Sequence, residues 1–305
     1  MPDAAPGFGV EVNVRSWLYV PGDRPEMLAR SFEREADALV VDLEDAVAVD
    51  AKALARGTVL SWLAGLGDRA PGGPSVWVRV NAGSDMADDI ASVTGPRLDG
   101  IVVPKVDGPD ELEETVRRVR AAEREAGLPE HRVAVVALIE TARGLLDVAG
   151  IARVPGVATL ALGEGDLAAD LGVTPSPGEP EFLLAREQVV VAAAAAGLEP
   201  PIAPVATDFR DLDAFRRSSE GLRRMGFGSR QAIHPAQVLV VNEVFTPSPT
   251  EVEAARETVA AFERAAAAQV GVVVDGAGRM VDEAVVRAAR RTIARAGVTP
   301  GREGR

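Results

Sequence analysis

Polar and charged side chains close most of the apolar runs of this chain. Tyr19 precedes Pro21-Gly22, Asp42 leads to Glu44 and Asp45, and Arg79 to Asn81. Lys105 follows Pro104, Glu140 follows Ile139, and Glu164 and Asp166 follow Gly163. If the runs that end near Glu140 and Asp166 are neighbouring strands, the two carboxylates meet at one rim. Such a pair repels unless a proton or a cation joins it. The chain has no cysteine and only two histidines, so a thiolate nucleophile is excluded and an imidazole-rich metal site is hard to build. A hard divalent ion on carboxylates, waters and substrate oxygens suits the remaining donors, and Mg²⁺ matches that description. Each carboxylate also has a plainer reading as a helix cap, Glu140 before TARGLLDVAG and Asp166 before LAADLG. Capping explains each of them but not their pairing. Arg79 stands inside VWVRVN, where a buried guanidinium needs a partner. It is expected either to pair with the Asp42, Glu44 and Asp45 group of the preceding strand or to receive an anion, and the two roles are compatible.

These residues need a frame. Eight short runs (SWLYV, ALVVDLE, SVWVRVN, GIVVPKV, RVAVVALIE, VATLALG, PPIAPVA and RQAIH) alternate with stretches of helical period, the pattern of a parallel α/β protein. Leu39–Asp42 and Val133–Ile139 are apolar at nearly every position, as in strands covered on both faces. A TIM (β/α)₈ barrel is favoured over an open sheet, and its active site lies at the C-terminal ends of the strands. Residues 1–14 are read as an N-terminal tail, 15–246 as the barrel and 247–305 as a C-terminal helical extension. In that extension Thr250 is expected to cap the helix EVEAARETVAAFERAAAA, and a GVVVDGAGRM segment, with Gly276 and Gly278 expected as a hinge, leads to a last helix from about Asp282 to Arg295. The extension either packs passively or acts as a lid.

Composition narrows the function classes. The 305 residues are 47% hydrophobic and 4% aromatic, enough for a large aliphatic core. A net charge of −13 disfavours nucleic acid and anionic membrane as partners. The apolar runs are too short to span a bilayer, and MPDAAPGFGVEVN lacks the basic and apolar regions of a signal peptide, so a cytoplasmic location is expected.

Eight blocks in order carry a resemblance: RSWLYVPGDRPEML, ALVVDLEDAVAVDAKALAR, VRVN, GIVVPKV, LIETARGLL, LGEGDLAADLG, AIHPAQVLVVNEVFTPS and GRMVDEAVVRAAR. From about Arg15 to Arg295 the chain resembles the citrate lyase β-subunit family, within the HpcH/HpaI aldolase group that includes malyl-CoA and citramalyl-CoA lyases. The resemblance implies a TIM barrel, a homotrimer or hexamer, and Mg²⁺-dependent making or breaking of a carbon–carbon bond in a 3-hydroxyacyl-CoA thioester, giving acetyl-CoA and a 2-oxo acid. It further implies Glu140 and Asp166 as metal ligands and Arg79 as the contact to substrate and developing oxyanion. Tyr19 and Arg30 are implied for the thioester or its CoA arm, and Asp282 as a lid acid or base reaching a neighbouring subunit. Asp42, Glu44, Asp45 and Lys105 take supporting places. A citrate lyase β-subunit acting on an acyl-carrier thioester within a complex is the alternative enzyme, and a non-catalytic assembly or regulatory barrel the alternative outside enzymes. The chain departs from the family pattern at Gly165, at Ala203 and at Ser229-Arg230. His234 is read first as a structural histidine at a helix start.

Overall fold

The computed structural model describes residues 14–67, 72–267, 273–274 and 280–296. Eight parallel strands close into a barrel: β1 (Ser16–Pro21), β2 (Ala38–Asp42), β3 (Ser75–Arg79), β4 (Gly100–Val103), β5 (Ala134–Ile139), β6 (Val157–Leu162), β7 (Ile202–Ala203) and β8 (Ser229–Ala232), with β8 returning to β1. They coincide with the eight runs expected from sequence. β2, β5 and β6 are buried along their whole length, as strands enclosed between a packed interior and a ring of helices must be.

The helices between them are α1 (Pro25–Ala29), α2 (Lys52–Gly65), α3 (Met86–Val93), α4 (Pro109–Glu125), α5 (Ala142–Leu146), α6 (Val148–Ile151), α7 (Glu164–Leu171), α8 (Leu183–Ala196) and α9 (Leu212–Met225), followed by α10 (Pro235–Phe245). In α4 Leu112, Val116 and Val119 share one face and are buried, while Pro109 opens the helix where a missing N–H costs nothing.

Alternation along the strands decides what fills the barrel. Trp17, Ala38, Val40, Trp77, Ala134, Val136 and Leu138 form one buried cluster with Tyr19 packed against it. The rings of Trp17 and Trp77 lie 4.8 Å apart. Gly100 makes room for them, because a Cβ there would fall 2.1 Å from the Trp77 ring. Stepping two residues toward the C-terminal rim from Trp17, Val40, Trp77 and Leu138 reaches Tyr19, Asp42, Arg79 and Glu140. The period that packs the core therefore turns the polar residues inward one layer above it.

The chain divides into two compact units, Met1–Glu243 and Val244–Arg305. In the second, α11 (Pro249–Ala267) packs on α12 (Glu283–Ala296), and β9 (Val273–Val274) pairs antiparallel with β10 (Met280–Val281). Thr250 is not the cap of α11. Pro249 takes the first helical position, and Ser248 Oγ accepts from Glu251 N (3.2 Å) while Ser248 N donates to the Glu251 carboxylate (2.7 Å), a reciprocal capping box. Gly276 and Gly278, expected as a hinge, lie outside the described residues, as does the tail up to residue 13. Among the described residues no helix is long and apolar enough to cross a membrane.

Candidate active site at the C-terminal rim

Arg79 is the hub of the rim. It is the register partner of Asp42, and its Nε and Nη2 donate to the two Asp42 carboxylate oxygens at 2.8 and 2.6 Å. Nη1 donates to Asp45 Oδ2 (3.3 Å) and lies 2.9 Å from Glu44 Oε2, which makes no hydrogen bond itself. The fork thus meets three carboxylates, and its Cζ sits 5.2 Å from the centre of the Tyr19 ring, within cation–π range. Burial alone would lower the guanidinium's pKa, but the Asp42 hydrogen bonds and charge outweigh it and raise the value, so Arg79 stays charged. Asp42 also accepts from Glu44 N (2.9 Å) and Ala46 N (3.0 Å), so all its capacity is spent on holding Arg79 and the loop behind it.

Lys105 bridges the two halves of the rim. It adopts the left-handed backbone region, φ 51°, which is uncommon for a residue with a Cβ and is typical of sites where structure imposes it. That turn sends its N–H to Glu140 Oε1 (2.9 Å) and its ammonium to Glu44 in a short contact, with Asp45 at 3.6 Å and Asp166 at 3.4 Å. Burial works against the ammonium, yet the Glu44 hydrogen bond and the surrounding carboxylates raise its pKa. Glu44 is raised too, chiefly by burial, despite Arg79 and Lys105.

Glu140 is 3% exposed, and its carboxyl is pushed up to about 8, first by burial and then by the charge of Glu44. It does not cap the following helix. Thr141 caps α5, its side chain accepting from Gly144 N (3.0 Å). The other carboxylate oxygen lies against Gly163, where a Cβ would be 2.6 Å from Oε2, so this position demands glycine. Asp166 lies in the first turn of α7, after its N-cap Gly163, with its side chain 45% exposed. An anion suits that turn.

The rim therefore gathers Tyr19, Asp42, Glu44, Asp45, Arg79, Lys105, Glu140 and Asp166, five carboxylates against two cations. Its donors are hard oxygens. Among the described residues no three His, Cys, Asp or Glu side chains are placed to hold a metal on their own. Two carboxylates with the remaining positions left to water and substrate is the arrangement Mg²⁺ accepts, so the residues present fit that ion.

Other residues singled out from the sequence lie elsewhere. Arg30 is exposed at the end of α1, where it pairs with Glu33 (3.4 Å) and is not brought to the cluster. Asn81 is tied to Asp89 of α3 (2.7 Å). Glu164 is clamped by Arg186 of α8 at 2.6 and 2.7 Å. His234 Nδ1 accepts from Ala236 N (3.1 Å) at the start of α10, in keeping with its structural reading. Asp282 caps α12, its Oδ1 accepting from Val285 N (2.9 Å), and is exposed. A Cβ at Gly165 would meet open space, and Ala203 is fully buried. Arg230 is spent inside the barrel wall on Pro204 O (3.0 Å), Ser218 (2.8 Å) and Ser219 (2.6 Å), over the Phe215 ring. Two residues escaped sequence reasoning. Lys52 donates to Leu43 O (2.9 Å) and Glu44 O (2.6 Å) and so fixes the loop carrying Glu44 and Asp45. Gln231 accepts from the Tyr19 hydroxyl (2.9 Å). The place of Gln231 as the second residue of the run RQAIH, one alternation step past Ser229, was the available signal.

Comparison with known proteins gives one direction. The family model described as HpcH/HpaI aldolase/citrate lyase matches residues 15–235. A citrate lyase subunit beta-like protein of Deinococcus radiodurans is 38% identical over 284 residues, covering 91% of this chain and 95% of that protein. A (3S)-malyl-CoA thioesterase of Cereibacter sphaeroides is 36% identical over 287 residues, covering 92% and 94%. Among solved structures, CitE from Mycobacterium tuberculosis in complex with magnesium, acetoacetate and coenzyme A superposes with a TM-score of 0.73 at 27% identity, covering 93% of this chain and 98% of that one.

Proposed function

Because the chain belongs to the HpcH/HpaI aldolase/citrate lyase family, we propose that it is a Mg²⁺-dependent carbon–carbon lyase. Its substrate would be a 3-hydroxyacyl-CoA thioester such as citramalyl-CoA or malyl-CoA, cleaved to acetyl-CoA and a 2-oxo acid or formed in the reverse direction. The observation that carries this reading is the charge of the rim. An anionic thioester has to enter a cluster of five carboxylates and two cations on a protein of net charge −13, which requires a further cation where the carboxylates are least satisfied.

Glu140 and Asp166 would hold that ion, which when bound supplies Lewis-acid polarisation of substrate oxygens. The chain's own residues do the rest. As the substrate hydroxyl gives up its proton to solvent and becomes the carbonyl of the 2-oxo acid, the carbon–carbon bond breaks, its electron pair becomes a thioester enolate, and Arg79 stabilises that oxygen. Asp42 and the Tyr19 ring hold the guanidinium in advance, so little reorganisation is needed when the charge develops. The three hydrogen bonds to Asp42 and Asp45 engage three of its five N–H groups, leaving donors for a ligand. Tyr19 borders the reacting end, and Arg30 serves the CoA arm. Asp282, from a neighbouring subunit of a homotrimer or hexamer, protonates the enolate carbon and completes acetyl-CoA.

The malyl-CoA thioesterase relative favours hydrolysis as the second reading. One experiment separates these readings. The purified protein alone, with Mg²⁺, is given citramalyl-CoA, malyl-CoA and citryl thioesters, and products are identified by mass. Acetyl-CoA with a 2-oxo acid supports the lyase. Free CoA with intact hydroxy acid supports the thioesterase. Activity only after addition of partner subunits indicates a citrate lyase β-subunit, and inactivity toward every thioester, with or without partners, indicates a non-catalytic barrel.

A further inference from the structure

We infer that Gln231 is a positioning residue for the rim, holding the Tyr19 hydroxyl and, through the Tyr19 ring, the Arg79 guanidinium. The inference rests on the reading that Arg79 serves the reaction. Gln231 lies on β8, 4% exposed, one alternation step beyond Ser229, whose Oγ accepts from Trp17 Nε1 in the barrel interior (3.1 Å). A primary amide there is costly unless each of its groups is bonded.

All of them are. Nε2 donates to Leu162 O (3.0 Å) and Ala203 O (3.2 Å), the carbonyls that end β6 and β7, and both of its N–H groups are spent. Rotating the amide by half a turn would set Oε1 against two carbonyl oxygens, so the two strands fix its polarity. Oε1 can then only accept, and it takes the Tyr19 proton at 2.9 Å. Tyr19 is thereby anchored at its far end, and its ring is held where the Arg79 Cζ sits 5.2 Å from the centroid. Asp42 grips the edge of the same guanidinium. Arg79 is clamped at its edge by a carboxylate and on its face by a ring, and the second clamp is referenced through Gln231 to β6, β7 and β8. A glutamine that only plugs the barrel would need the two carbonyls but not the tyrosine.

Tyr19 is the single tyrosine of the chain, so protein grown with tyrosine carrying ¹³C at Cζ gives one NMR line that reports this hydroxyl alone. Wild type, Gln231→Met, Tyr19→Phe and the double variant are compared by that line, where a tyrosine remains, and by kcat and KM with the active thioester. Gln231→Met is expected to move the line and lower kcat about tenfold, on the scale of one lost hydrogen bond, with KM changed less than kcat. Tyr19→Phe should lower kcat to a similar extent, and the double variant no further than either single one. Gln231→Met also strips two buried carbonyls of their donors. Tyr19→Phe therefore serves as the second probe, cutting the same bond from the other end. An unmoved line, or losses that multiply in the double variant, overturns the inference. A wild-type protein inactive toward every thioester refutes the lyase reading instead, and the line then decides the present inference alone.

Discussion

Replacing Glu140 by glutamine should remove a specific dependence of stability on pH. Burial and the Glu44 charge push the Glu140 carboxyl from an ordinary 4.5 up to about 8. Its folded value is raised above its unfolded one, so between these limits the native state holds a proton that the unfolded chain has released. Stability contributed by the neutral form is complete below 4.5 and is lost as pH rises toward 8. At 1.36 kcal/mol per unit this amounts to about 3 kcal/mol by pH 7. The assay is the urea midpoint of wild type and Glu140→Gln in chelator at several pH values from 5 to 8. The difference between the two proteins reports this carboxyl together with its repulsion by Glu44, while titrating groups remote from it cancel. Wild type should lose stability relative to the variant as pH rises. Mg²⁺ at a hundred times its Kd should then restore about 2.7 kcal/mol to wild type and nothing comparable to the variant. Parallel curves for the two proteins would refute the buried-acid argument, and equal stabilisation by Mg²⁺ would refute the metal assignment.

Three further outcomes are expected. Arg79→Lys keeps the charge but loses the fork that spans Asp42, so kcat should fall on the order of 10²-fold, as for loss of an oxyanion donor; unchanged kcat in a less stable protein would make Arg79 a purely structural ion-pair partner. Gly163→Ala inserts a methyl 2.6 Å from Glu140 Oε2 and 2.8 Å from its Cβ, so calorimetric Mg²⁺ affinity should drop at least about tenfold while the barrel's circular dichroism stays native, a carboxylate ligand being displaced. Asp282→Asn should bind Mg²⁺ and thioester normally yet turn over slowly, and mixing it with Glu140→Gln subunits should restore part of the activity; hybrids seen by native mass spectrometry without any return of activity would rule out action in trans.

The barrel was legible because strands enclosed on both faces are written as unbroken apolar runs, and all eight runs became strands. The rim was legible for a related reason: alternation carries the inward-facing series of β1, β2, β3 and β5 past their last apolar residues to Tyr19, Asp42, Arg79 and Glu140. What the runs could not express was contact between elements distant in sequence. The spacing that nominated Glu140 as a cap is equally compatible with Thr141, and the choice depends on where Lys105 N–H arrives from β4. Thr250 gave way to Ser248 because Pro249 fits the first helical turn and Glu251 returns the bond, a capping box whose S-x-x-E spacing was already written in the sequence. Arg30 was singled out through resemblance alone, and its exposed pairing with Glu33 sets it outside the carboxylate cluster, where the proposal assigns it to the CoA arm. Gln231 stood within a run already assigned to the barrel wall, where an amide's partners depend on three other strands.

The five carboxylates of the rim are not equivalent, and the difference supports the division of roles proposed for them. Asp42 accepts two bonds from Arg79 and two from backbone N–H groups, so no capacity remains for an ion. Glu44 and Asp45 are both shared between Arg79 and Lys105. These three serve the protein's cations and hold them in place. Glu140 has only the Lys105 backbone N–H, which cannot neutralise it, and Asp166 has the Lys105 ammonium at 3.4 Å while remaining open to solvent. A divalent ion gains most where carboxylates are least compensated, since there it relieves both burial and mutual repulsion. The same distribution leaves Arg79 firmly oriented and still positive. One half of the rim is thereby suited to bind a cation and the other to meet a developing anion, as cleavage next to a thioester carbonyl requires.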